Sequence, residues 1–250
     1  MIKAINKKGS HIGFVVSFVI FVTFLVFLYT IIQPVTVRER SKDYILDYLT
    51  LNLIGNSTGE MTTMVVNVVD PILPGKACIN LQNMIGDGEG EIPISMKDHL
   101  SFTANGESFL YQESGQGFIV NVGEGFQGII TIIYSEDINK LPYVSVGGCD
   151  PHSFPTGYVK TFSEIFETKM YEINESYYAD YEALKITLGI PDGTEFNFYV
   201  YDSLRSEPPI ISAEIQEPPI DKSVFVQETP IQYADVNGNK LFGFLKVEIW

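Results

Sequence analysis

The feature that most constrains this chain is an uncharged apolar segment close to its N-terminus. Residues 13–32 contain no charged side chain, and the apolar run is interrupted only by Ser17, Thr23, Tyr29 and Thr30. An α-helix rises 1.5 Å per residue, so this segment would extend about 30 Å, roughly the thickness of the hydrocarbon layer of a bilayer. The sequence therefore predicts a transmembrane helix over residues 13–33, with the lipid bilayer as its partner and a short basic leader over residues 1–12.

Charges on either side of the segment bear on its orientation. Lys3, Lys7 and Lys8 precede it with no acidic residue, whereas basic and acidic side chains are mixed over residues 38–43. Long domains that follow a span are translocated largely regardless of charge. We expect a single-pass protein of the cell membrane with a cytoplasmic N-terminus and the C-terminal domain outside. A cleaved signal peptide is the alternative, but the run is longer than a signal core and no small-x-small site follows it.

The acidic composition excludes one class of partner. The chain has 31 acidic and 16 basic residues and a formal net charge of −15. Three of the basic residues precede the apolar segment, so the rest of the chain is more acidic still. Such a charge repels phosphate backbones, and we expect no nucleic-acid partner.

Repeating patterns after the apolar segment predict an α+β fold. Residues 34–59 are predicted to form a stalk helix and linker, in which Pro34 ends or kinks the membrane helix, residues 41–54 are helical and Gly55 to Gly59 form a loop. Residues 60–136 are predicted to be a β-rich domain, an antiparallel sandwich or small barrel. Its strands are placed at 64–69, 77–84, 92–96, 108–112, 118–122 and 129–134.

The remaining residues, 137–250, are interpreted as a connector, one long helix and a C-terminal sheet against which the helix packs. Apolar residues at helical spacing predict the helix over 158–188, with a break near Asn174 to Tyr178 and a C-terminal cap at Gly189. Strands are predicted at 195–201, 224–233 and 241–250. The last two are joined at Asn237-Gly238, a type I′ hairpin signal. We expect a buried Trp250 to hold the C-terminus in the sheet.

Few residues suggest chemistry, and we predict a non-enzymatic protein with no catalytic residue, cofactor or metal. Cys149, Asp150 and His152 are sequence neighbours, which rarely point at one reacting atom. His11 and His99 stand apart from any such set. The acids Asp87, Glu89 and Glu91 favour a solvated turn over a Ca²⁺ loop. Asp235, Asn237 and Asn239 imitate the start of an EF-hand, but Lys246 stands where its bidentate acid would be.

Two kinds of covalent feature are predicted for an exported domain. Cys78 and Cys149 are the two cysteines, and in an oxidising compartment they could form a disulfide. Asn56-Ser57-Thr58 and Asn174-Glu175-Ser176 match the N-glycosylation pattern, which makes Asn56 and Asn174 candidate glycosylation sites.

The tract Lys7-Lys8-Gly9-Ser10 lies directly before the apolar run. It resembles the class III-like leader of archaeal type IV pilin-like proteins, whose prepilin peptidase cuts after the glycine and leaves the helix on the mature chain. The order of anchor, helix and sheet ending in an apolar strand is also similar to that family. The resemblance implies Gly9 and Ser10 as a processing site, and partners that are copies of the chain or other pilin-like subunits bound through the N-terminal helix. The chain departs from the family at Phe14, where those proteins carry an acidic residue.

Two hypotheses about function follow. The first is a membrane-anchored surface protein of pilin-like type, a filament subunit or an assembly component. The alternative is an anchored extracytoplasmic binding or sensor domain that does not polymerise, in which the same lysines only set the orientation of the helix. An anchored hydrolase is a third class, and no residues support it.

Overall fold

The computed structural model describes residues 10–86, 88, 90–139, 149–150, 154, 156–215, 217–220 and 222–250. Its first element, α1 (Ser10–Asn56), is one continuous helix. Residues 34–56 thus continue the apolar segment within the same helix. Proline removes one backbone donor and crowds the preceding turn, but Pro34 does not end α1. The predicted loop over Gly55 to Gly59 is wrong, because a strand begins at Thr58.

Strands dominate the rest of the fold, which is of the α+β class. They are β1 (Thr58–Val68), β2 (Cys78–Leu81), β3 (Leu100–Ala104), β4 (Glu107–Phe109), β5 (Tyr111–Ser114), β6 (Gly117–Asn121), β7 (Gly128–Tyr134), β8 (Cys149–Asp150), β9 (Thr156–Phe166), β10 (Phe196–Asp202), β11 (Ile211–Ala213), β12 (Phe225–Ala234) and β13 (Lys240–Ile249). Two helices, α2 (Glu167–Ala179) and α3 (Tyr181–Thr187), connect β9 to β10. A short 3-10 helix covers Ile94–Met96.

The strands form one large and one small sheet. The nine-stranded sheet has the order β11-β10-β13-β12-β9-β1-β7-β3-β4, and the four-stranded sheet has the order β5-β6-β2-β8. Pairing is antiparallel except between β12 and β9 and between β2 and β8. Because β12 and β9 pair only at Tyr233↔Ile165 and Ala234↔Phe166, this short parallel contact joins the N-terminal and C-terminal halves of the large sheet.

Apolar side chains form two main cores, one for each half of the large sheet. The first core lies between the C-terminal part of α1, the helices α2 and α3, and the strands β10–β13. Its largest fully buried members include Tyr177, Tyr233, Phe196, Phe198, Leu49 and Leu53. The second lies between the N-terminal half of the large sheet and the small sheet, and includes Met64, Ile79, Phe102 and Phe118. Each half of the large sheet therefore packs its apolar face into a core of its own.

The prediction of one long helix over 158–188 is wrong in its first part, and the predicted break lies in the wrong place. Residues 156–166 are strand β9, which pairs along its length with β1, and α2 and α3 are separated at Asp180. Val159, Phe162 and Ile165 suit a helical face and a strand equally well. These residues form a strand because they pair with β1. A contact with a distant strand leaves no signal in the local sequence. Asp180 accepts a hydrogen bond from the Ala183 N–H and so begins α3.

Two strand predictions in the N-terminal half also need correction. Residues 92–96 hold the 3-10 helix, with only an isolated bridge between Ile85 and Ile92. The single strand predicted at 108–112 is divided between β4 and β5, which belong to different sheets. Strand β3 was not predicted. Strands at 118–122, 129–134, 195–201 and 224–233 are confirmed to within a few residues.

The β12–β13 hairpin is confirmed, but its turn is not of type I′. That turn needs positive φ at both central residues. Here the Gly238 N–H donates to the Asp235 carbonyl (2.9 Å), and of the turn residues only Gly238 has positive φ, +81°. Glycine therefore occupies the last position of a type I turn. Asn105-Gly106, between β3 and β4, has φ values of +53° and +84°, as a type I′ turn requires.

The predicted end of the helix at Gly189 and the predicted burial of Trp250 are both confirmed. Gly189 has φ +68°, and the N–H groups of Gly189 and Ile190 satisfy the carbonyls of Ile186 and Lys185 at the end of α3. Trp250 is buried, and its backbone exchanges two hydrogen bonds with Glu195. The last residue thus lies within the sheet.

Candidate functional site

The most unusual surface of the chain is the first part of α1. No residue in its span Gly13–Thr30, called here the apolar half, is buried. Phe14 is 73 % exposed and Tyr29 64 %. The two hydroxyls of Thr23 and Thr30 donate to carbonyls within the helix, at Val19 and Phe27, so they present no free donor outward. An apolar N-terminal helix of this length is compatible with a membrane anchor and with a signal sequence.

The second part of α1, residues 42–56, is called the docked half and belongs to the core of the folded domain. Leu46, Leu49 and Leu53 lie three and four residues apart on one helix face and are buried against β12 and β13. The opposite face carries Tyr44, 70 % exposed, and Leu51, 68 % exposed. The docked half therefore joins the apolar half to the rest of the domain, which we call the head.

Polar contacts fix the position of the docked half. Asn52 Nδ2 donates to the carbonyl of Leu188 (3.1 Å), and Lys42 Nζ donates to Thr194 Oγ1 (3.4 Å). Thr194 immediately precedes Glu195, whose backbone pairs with Trp250. Helix α1 thus leaves the head beside the end of its last strand. A chain spanning a membrane at residues 13–30 would have this end of the head nearest to the bilayer.

The two cysteines form a disulfide between β2 and β8. Cys78 Sγ and Cys149 Sγ are 2.07 Å apart, and the bond closes a sequence separation of 71 residues. Cys78 is fully buried. A disulfide of this kind is typical of domains in oxidising compartments.

The two candidate glycosylation sites have different environments. Asn56 is the exposed last residue of α1, and its Nδ2 donates to the Asn52 carbonyl (2.8 Å). Asn174 lies inside α2, where its Oδ1 is buried and has no hydrogen-bond partner in the described part of the chain. Oligosaccharide transfer needs an accessible side-chain amide, and Asn56 meets that condition better.

The candidate residues for chemistry that the structure describes do not come together. His99 Nδ1 lies 3.0 Å from the carbonyl of Ile138, in a structural contact. Asp235 caps its turn, accepting from the N–H groups of Asn237 and Asn239. No group of three or more His, Cys, Asp or Glu residues suited to a metal occurs among the residues that the structure describes. His152, Asp87, Glu89 and Gly9 lie outside the described residues.

Strongly shifted pKa values belong to core tyrosines. Burial raises the pKa of Tyr177, whose hydroxyl donates to the carbonyl of Phe196 and to Asn197 Oδ1 (both 2.8 Å). Burial also raises the pKa of Tyr233 to about 12, with Glu167 and Asp202 adding to the effect. Tyr177 packs against the rings of Tyr181, Phe196 and Phe198, and both tyrosines belong to the core of the C-terminal half.

One open cleft in the N-terminal half is lined by neutral polar side chains. Its volume is about 210 Å³, and its lining is Asn80, Gln82, Asn83, Ser114, Gln116 and Gly117. Amide groups both donate and accept hydrogen bonds. Sequence reasoning did not find this cleft, because its residues come from two separate segments, 80–83 and 114–117, that only the small sheet brings together.

The comparisons with known proteins add no family or fold assignment. No protein-family model, no curated protein and no solved structure matches this chain.

Proposed function

We propose that the chain is a non-enzymatic, membrane-anchored surface protein of pilin-like type, a filament subunit or a pilus-assembly component. The observation that carries the proposal is the division of α1 into an apolar half with no buried residue and a docked half within the head core. Because both halves belong to one helix, the same helix could first cross the bilayer and later pack beside the helices of other subunits. The leader Lys7-Lys8-Gly9-Ser10 supports this two-stage use.

The disulfide supports placing the head outside the cytoplasm. Disulfides persist in oxidising compartments and are rare in the cytosol. In this arrangement the N-terminus is cytoplasmic, α1 crosses the bilayer once, and the head is on the cell surface.

Processing of the leader tests the proposal. The intact mass of the protein from membrane and surface fractions of its native host should correspond to a chain beginning at Ser10. Replacing Gly9 with Val should leave the full leader in place. Gly13→Val is the matched control, because a side chain at Gly13 meets no atom within 4 Å, and it should be processed normally.

A mature protein that still begins at Met1 would contradict the pilin-like proposal. The second candidate, an anchored binding or sensor domain that does not polymerise, would then take its place. Phe14 favours this candidate, because the pilin-like resemblance expects an acid there. The amide-lined cleft would be the first place to look for a ligand, since its paired donors and acceptors suit uncharged polar groups.

A further inference from the structure

The chain contains two Asn-Gly dipeptides, and the structure places them in turns with different surroundings. Asn105-Gly106 connects β3 to β4, at the edge of the nine-stranded sheet. Asn237-Gly238 connects β12 to β13 in the middle of the same sheet. The side-chain amide of asparagine can react with the backbone nitrogen of the following residue, and glycine obstructs that approach least.

The Asn105-Gly106 turn, at the edge of the sheet, leaves the backbone nitrogen of Gly106 accessible. Asn105 and Gly106 are both exposed, and no atom lies within 4 Å of the position where a side chain on Gly106 would begin. The Gly106 N–H has no acceptor in the described part of the chain. Strand β4 is a three-residue edge strand, so local opening of this hairpin costs little.

The central turn holds its backbone nitrogen in place. The Gly238 N–H donates to the Asp235 carbonyl (2.9 Å), and the Asn237 N–H donates to Asp235 Oδ1 (2.8 Å). Gly238 is buried, and a side chain there would begin 2.9 Å from Ile138 Cδ1. Reaction at this site would require the Gly238 nitrogen to lose its proton and its hydrogen bond and then move within a packed environment.

We propose that Asn105 is a site of spontaneous deamidation and that the Asp235-capped turn protects Asn237. The deprotonated Gly106 nitrogen attacks Asn105 Cγ, a C–N bond forms, and the side-chain nitrogen leaves as ammonia to give a cyclic imide. Water then opens the imide at either carbonyl, giving aspartate or isoaspartate. Water is the only co-reactant, and no atom is oxidised or reduced.

The modification changes the edge of the large sheet. Isoaspartate places one additional carbon in the backbone of a two-residue turn and adds a negative charge. A type I′ turn fixes the register of its hairpin through the positive φ values of both residues. The longer backbone cannot keep that geometry, so β4 should detach from β3 in the modified protein.

The test follows both sites in the full-length protein in detergent micelles, incubated in mildly alkaline buffer and sampled over time. Peptide mapping by mass spectrometry measures amide loss at each site, and chromatographic separation distinguishes aspartate from isoaspartate. We expect Asn105 to react at least about tenfold faster than Asn237, the ratio produced by roughly 1.4 kcal/mol of retained hydrogen bonding. In denaturant the two rates should converge, because both sites have the same following residue. Equal rates in the folded protein would overturn the proposal.

Asp235→Ala provides the second test. Removing the side-chain acceptor should accelerate reaction at Asn237 and leave the rate at Asn105 unchanged. The circular dichroism of the variant shows whether the head remains folded. A folded variant in which Asn237 stays as slow as before would contradict protection by the turn.

Discussion

Asn52 donates a hydrogen bond from its side-chain amide to the carbonyl oxygen of Leu188, and this contact joins the C-terminal end of α1 to the C-terminal end of α3. The same turn of α1 places Leu49 and Leu53 in the core of the head. A helix that begins as an exposed apolar rod therefore ends as a structural part of the folded domain. This connection makes the proposed anchor and the head parts of one helix.

Leu53→Ala should destabilise the head by about 2–5 kcal/mol, because it leaves a cavity at a fully packed position. Chemical denaturation of the full-length protein in detergent measures the loss. Leu51→Ala is the matched control on the same helix. Leu51 is 68 % exposed, so its replacement should change the free energy of unfolding by less than about 0.5 kcal/mol. Equal effects of the two changes would mean that the docked half does not belong to the core.

Gly238→Val should reduce stability more than Gly106→Val. Both positions have positive φ, and the strain of placing a side chain there is about 1–2 kcal/mol. At Gly238 the new side chain would also meet Ile138, which adds an overpacking cost of about 1–3 kcal/mol. Thermal denaturation of the two variants compares them directly. A smaller effect at Gly238 would show that the β12–β13 turn is not packed in this way.

Replacing Cys78 and Cys149 together with alanine should lower the free energy of unfolding by about 4 kcal/mol in the chain-entropy model, for a loop of this length. The wild-type protein in a reducing agent should approach the stability of the double variant. Thiol labelling before and after reduction reports the state of the bond. Complete labelling of the unreduced native protein would contradict the disulfide.

Glycosylation of an exported head should occur at Asn56 and not at Asn174. Thr58→Val should remove the attached mass, whereas Thr58→Ser keeps the pattern and should retain it. Ser176→Ala should leave the mass unchanged, since Asn174 Oδ1 is buried. Glycopeptide analysis of protein from the native host measures both sites. A glycan on Asn174 would contradict the structural distinction.

Alkaline pH should destabilise the head. Burial raises the pKa of Tyr233 to about 12 in the folded state, against about 10 in the unfolded chain. Its contribution to stability is therefore complete below pH 10 and is lost as the pH rises toward 12, by about 1.4 kcal/mol per pH unit. Unfolding measured across this range should show a shallower decline for Tyr233→Phe than for the wild type. Identical slopes would mean that Tyr233 ionises normally in the folded protein.

The sequence by itself determined the features that depend on local composition. The uncharged run over residues 13–32 determined an exposed apolar helix, because any folded position for it would have needed a large apolar partner. The alternating residues of β12 and β13 determined strands with one more deeply buried face. Gly189 and Pro191 determined the end of α3, since glycine accepts the left-handed conformation and proline cannot continue the helix.

Tertiary structure decided the features that depend on contacts between residues far apart in sequence. Residues 156–166 became a strand because β1 offers a complete pairing edge, although their apolar spacing also fits a helix. Two identical Asn-Gly pairs adopted different turns, because Asp235 caps one of them and Ile138 packs against it. The amide-lined cleft exists only because the small sheet brings residues 80–83 and 114–117 together. Short-range propensity is worth a fraction of a kcal/mol per residue, and burial and strand pairing over a whole element outweigh it.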